Sequence, residues 1–86
     1  MDTYANIKKQ TYIMPDGSTA EITSAKDYTF VVVTADPEYR ILQRCTTLKY
    51  ANERLAYYQH IWAGEPLPLL IVKRSESQFI YRQETP

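Results

Sequence analysis

Between Tyr28 and Ala35 the chain reads YTFVVVTA, with β-branched or aromatic residues at positions that fall on both sides of a strand. A half-solvated strand alternates apolar with polar residues, so this run needs cover on both faces. It predicts a central strand, and the rest of the chain must supply its neighbours.

Candidates lie on either side. Thr11 to Met14 is rich in β-formers and leads into Pro15-Asp16-Gly17-Ser18, where proline presets φ and glycine accepts a positive φ. The expected return strand, Thr19 to Thr23, is short and weakly apolar, which suits a sheet edge. Residues 1–10 stay open between a loosely ordered arm, a strand and a short helical turn. Beyond the central run, Asp36-Pro37-Glu38 has the chemistry of a turn. Tyr39 to Cys45 should return from it with Tyr39, Ile41, Gln43 and Cys45 on one face and Arg40, Leu42 and Arg44 on the other.

From Thr46 or Thr47, either of which can cap a helix through its hydroxyl, the apolar period lengthens. Leu48, Ala51, Leu55, Tyr58 and Trp62 recur at steps of three and four, a stripe about 80° wide at 100° per residue. This stripe is expected to face the sheet, with Trp62 in the core. Gly64 and Pro66 supply a helix stop, which ends the helix near Ala63. Leu67 to Arg74 and Gln78 to Arg82 read as two strands, and Ser75-Glu76-Ser77 between them has the length and polarity of a hairpin connection. The expected fold is α+β: a mainly antiparallel sheet of about six strands with one amphipathic helix packed on it, in the order β-β-β-β-α-β-β. Eighty-six residues suffice for a single domain spanning 1–86, and 44% hydrophobic against 23% charged residues places the chain among globular sequences.

Composition removes several functions. Ten basic and ten acidic residues balance, giving no general attraction to nucleic acid. The longest apolar run, Leu67 to Val72, falls far short of the roughly 20 residues that cross a bilayer. The start, MDTYANIKK, lacks the basic and apolar regions of a secretory signal, so a soluble cytoplasmic protein is expected. Cys45 and His60 are each the only residue of their kind, which excludes an internal disulfide and the Cys/His pairs of a structural zinc site. With only Gly17 and Gly64, no glycine-rich phosphate loop can be built. No cofactor or metal is expected.

The helix also carries a second stripe, Tyr50, Arg54, Tyr57 and Ile61, about 100° round from the first, which one sheet cannot also cover. Large side chains with few rotors, joined by an arginine, favour a protein interface, whereas isolated surface aromatics belong to the core margin. His60 falls on the polar side with Lys49 and Glu53, and no nucleophile or orienting group is placed beside it. The chain therefore reads as a non-enzymatic protein that binds a protein partner through this stripe or a sheet edge, self-association into a homodimer being one version. Small size and the lack of catalytic motifs are also those of many phage-encoded inhibitors of host defence complexes.

The alternative is a module for single-stranded nucleic acid, since aromatic and basic residues interleave at Tyr39-Arg40, Arg44, Lys49-Tyr50, Lys73-Arg74 and Tyr81-Arg82. Neighbours along a strand point to opposite faces, which divides the pairs Tyr39-Arg40 and Tyr81-Arg82.

Overall fold

The computed structural model describes residues 7–35, 38–61 and 68–81, apart from the side chains of 79–81. They form β1 (Ile7–Ile13), β2 (Thr19–Ser24), β3 (Phe30–Thr34), β4 (Ile41–Cys45), α1 (Leu48–Ile61), β5 (Leu69–Lys73) and β6 (Glu76–Tyr81). The α+β class and the element order are those expected. The six strands divide into two antiparallel three-stranded sheets, β2-β1-β6 and β4-β3-β5. The described residues up to Asp27, together with those from Arg74 onward, form one compact unit, and Tyr28–Lys73 forms a second.

In the first unit β1 lies between two edge strands. Its start at Ile7 takes residues 7–10 into the sheet, where the sequence had left them open; residues 1–6 lie outside the described residues. The turn after β1 follows from its residues. Gly17 N–H donates to the Met14 carbonyl at 2.9 Å and Met14 N–H to the Ser18 carbonyl at 2.8 Å. Gly17 has φ of +88°, which completes a three-residue hairpin loop with a left-handed last residue. Asp16 Oδ1 accepts from Ser18 N–H and Oγ–H, at 2.9 and 2.6 Å, and these two bonds hold the Asp16 carboxyl below its ordinary pKa. β2 pairs with β1 along its whole length and occupies the edge foreseen for it.

Alternation sorts the side chains of this sheet. Gln10, Tyr12 and Ile22 are buried and share a face, because Gln10 stands opposite Ile22 and Tyr12 opposite Ala20. The other face carries Lys9 opposite Thr23, with Lys9 also paired to Glu21 at 3.7 Å, and ends in the exposed Ile13. Gln10 is a fully buried amide whose bonds are nonetheless made: Nε2 donates to the Lys26 carbonyl at 2.9 Å and Oε1 accepts from Arg74 Nη1 at 3.0 Å.

In the second unit β3 is central between β4 and β5, and Val31, Val32 and Val33 are all fully buried. The demand for cover on both faces of YTFVVVTA is thus met. Val32, Cys45 and Ala51 form the centre of the helix-facing core, with Phe30, Leu55, Tyr58 and Ile71 packed against it. The helix begins where its cap allows. Thr47 Oγ1 accepts from Tyr50 N–H at 3.1 Å and the Thr47 carbonyl accepts from Ala51 N–H at 3.1 Å, so Thr47 and not Thr46 is the cap. Trp62, Gly64 and Pro66, like Asp36 and Pro37 of the turn before β4, lie outside the described residues.

Three expectations are corrected. β5 and β6 are not a hairpin: β5 pairs with β3 and β6 with β1, while Glu76 and Ser77 already belong to β6. The reason is local, since Ser75 donates from both N–H (2.8 Å) and Oγ (2.9 Å) to the Thr11 carbonyl and so starts the pairing with β1.

The simple alternation of β4 also fails. Val32 faces Gln43 but Val33 faces Ile41, leaving Leu42 as an extra residue in a bulge that puts Ile41 and Gln43 on opposite faces. Tyr39 stands outside the strand with φ of +48°, next to Arg40, whose carbonyl accepts from Thr34 N–H and whose N–H donates to Thr34 Oγ1, each at 2.9 Å.

Leu48, third, is half exposed instead of packed. It is the first residue of the helix and lies at the margin of the stripe farthest round from Tyr58, so it receives little cover.

Candidate functional site

Within the second unit, Ala51, Leu55 and Tyr58 turn one side of α1 to the sheet, and the helical repeat then fixes where the second stripe must stand. Its members are placed as the sequence implied. Tyr50 is 40% exposed, Tyr57 47% and Ile61 50%, and Leu48 adds a further exposed apolar side chain at 49% at the start of the helix. Large apolar residues exposed singly are ordinary on protein surfaces, but Tyr50, Tyr57 and Ile61 stand in one row, from which Leu48 is removed by more than roughly 100° round the helix.

Arg54 runs through the middle of this row. Its Cζ lies 4.5 Å from the centroid of the Tyr57 ring and 5.3 Å from that of Tyr58. The two rings meet edge to face, 5.6 Å apart at 70°. Hydrogen bonding with Tyr58, and then the neighbouring Tyr50 and Tyr57, push the Arg54 pKa up against the opposing effect of burial. The guanidinium is therefore a permanent cation laid on aromatic surface. Its Nε is closed off from solvent and meets no hydrogen-bond acceptor among the described residues.

Tyr58 joins the helix to the bulge in β4. Its hydroxyl lies 3.1 Å from the Leu42 carbonyl and 3.3 Å from Gln43 Oε1. The bulge removes Leu42 from the regular register, and the Tyr58 hydroxyl donates to its carbonyl instead. Beside this point Tyr28, Ile41, Leu42, Gln43 and Arg44 line an open groove of about 380 Å³. Arg44 reaches over the Tyr28 ring at 5.9 Å. Its register partner is Val31, so it belongs to the side of the sheet away from the helix. None of the five lining residues is a carboxylate, a thiol, an aliphatic hydroxyl or an imidazole; the Tyr28 phenol is the one ionisable acid among them.

The remaining candidates separate. His60, Lys49 and Glu53 are exposed on the polar side of α1. Cys45 is a free, fully buried thiol, and burial pushes its pKa up, which makes it a core residue and not a nucleophile. No group of three or more metal-ligating side chains occurs among the described residues. Among the described residues no helix is long and apolar enough to cross a membrane. Of the basic residues interleaved with aromatics, Arg40 is bonded to Glu38 at 2.6 Å, and Arg74 to Gln10 and to Asp27. Arg82 lies outside the described residues. What sequence reasoning missed is the stacked position of Arg54 and the groove at β4; the first follows from Arg54 standing three and four residues before Tyr57 and Tyr58, the second from a bulge that has no sequence signature here.

No family model matches the chain, and no curated protein or solved structure matches it either.

Proposed function

We propose that this protein is non-enzymatic and acts by binding another protein through the outward row of α1, formed by Tyr50, Arg54, Tyr57 and Ile61. The observation that carries this reading is the exposure of three large side chains in line on a helix whose adjacent flank is committed to the core. Helix faces of this kind dock into grooves through residues at spacings of three, four and seven, which the positions 50, 54, 57 and 61 repeat. Tyrosine and arginine are the residues from which interface energy most often comes, since each covers a large area and also makes directed hydrogen bonds. Blocking a surface of a larger complex is the simplest action open to such a protein.

Binding of single-stranded nucleic acid draws less support, because Arg40 and Arg74 are engaged within the chain. The test is affinity capture from cells of the source organism with the wild-type chain, Tyr57→Ala and Tyr50→Ala, with and without nuclease. A protein retained by the wild type, reduced with both variants and indifferent to nuclease is the expected result. Capture that survives both substitutions overturns the reading, and capture abolished by nuclease moves it to nucleic acid.

A further inference from the structure

The α1 row holds one charge, and nothing in the described structure neutralises it. Lys8, Lys9, Arg40 and Arg74 each have a carboxylate within 4.0 Å, supplied by Asp27, Glu21, Glu38 and Asp27 respectively. Arg54 has aromatic rings instead. Its Nε is buried without an acceptor, and no acidic side chain pairs with it among the described residues.

The guanidinium, over the exposed Tyr57 ring and beside the half-buried Tyr58 ring, presents a planar fork of donors set in aromatic surface. The group that matches this fork best is a carboxylate, which accepts two parallel hydrogen bonds. We propose that the partner docking on this row presents an aspartate or glutamate to Arg54, flanked by apolar side chains that cover Tyr50, Tyr57 and Ile61. This deepens the reading given under Proposed function and rests on it.

The same chemistry selects against a second copy of the chain. In a symmetric dimer the patch meets itself, so each Arg54 is brought to a surface whose only charge is another Arg54. The row contains no acid, and Glu53 stands about 100° round the helix from Arg54. Burying two such cations without a counter-charge opposes association.

The test selects peptides from a displayed library of random helical sequences on the intact protein, then measures single selected peptides by titration. Expected are peptides with an aspartate or glutamate between apolar residues, losing affinity by about tenfold or more when that acid becomes its amide, and by a similar factor on Arg54→Met. Tyr57→Ala should weaken the same peptides. Peptides that need Tyr57 yet carry no acid and bind Arg54→Met as tightly as wild type overturn the carboxylate inference while leaving the docking row in place. Failure to select any peptide that depends on Tyr57 or Tyr50 overturns both. A dimer in sedimentation that Tyr57→Ala dissolves makes the occupant a second copy and overturns the inference. Circular dichroism of each variant establishes that the fold is retained.

Discussion

The Arg54 guanidinium lies 4.5 Å above the Tyr57 ring, and the same cation is 5.3 Å from Tyr58, so one residue links the exposed row of α1 to its buried flank. A partly exposed cation–π contact contributes about 0.5–1 kcal/mol, and the edge-to-face contact with Tyr58 about 0.5–1 kcal/mol more. Tyr57→Ala should therefore lower stability by about 1–2 kcal/mol in urea titration. A loss of about 3 kcal/mol would place Tyr57 in the core.

Tyr58 has the opposite character. Its hydroxyl donates to the Leu42 carbonyl, which the β4 bulge has taken out of the register with β3. Tyr58→Phe keeps the ring in the core but withdraws the donor, and since the site is only partly buried the expected loss is about 1 kcal/mol. Amide exchange across β3 and β4 should accelerate in the same variant.

Acid should act through Asp27. Hydrogen bonding from Lys8 at 2.7 Å, and secondarily from Arg74 at 3.2 Å, holds its carboxyl below the ordinary value of 3.8. A carboxyl depressed in the folded state stabilises it above the unfolded value, and that contribution is lost as pH falls through the folded value. Below about pH 4 the urea midpoint of the wild type should fall more steeply than that of Asp27→Asn, which has no such group to protonate. Parallel curves would show that the Lys8–Asp27–Arg74 contacts add nothing to stability.

Alkaline pH should act through Cys45. Burial raises its pKa above 9.0, so the folded chain favours the neutral thiol. The resulting stability is complete below the unfolded value and declines as pH rises from there through the folded value. At pH 8 iodoacetamide should modify Cys45 only as fast as the chain opens, so added urea should accelerate the reaction in parallel with unfolding. Rapid alkylation in buffer alone would contradict its burial.

The legible parts of this fold are those decided by near neighbours. Thr47, Leu55 and Tyr58 identify the helix and its inward side, Pro15 to Gly17 the first hairpin, and Val31 to Val33 a strand covered on both faces. The row of Tyr50, Arg54, Tyr57 and Ile61 was legible for the same reason, because once the inward side is known the helical repeat fixes the rest. Pairing at a distance was not legible. Ser75-Glu76-Ser77 looks like a hairpin link, yet β6 pairs with β1 along its length, beginning from the bonds of Ser75 to Thr11, while β5 joins β3. The Leu42 bulge was equally hidden, since a residue too many in a ladder is defined by the opposite strand and not by its own sequence.

The order β2-β1-β6 has a consequence for synthesis of the chain. β1 gains β2 across one short turn, but its other edge receives no partner until the ribosome has added residues 76–81, after all of the second unit. Long-range pairing of this kind is slow, and an unpaired strand edge recruits other chains. The first sheet is thus finished last, and for most of translation Ile7–Ile13 depends on its hairpin alone.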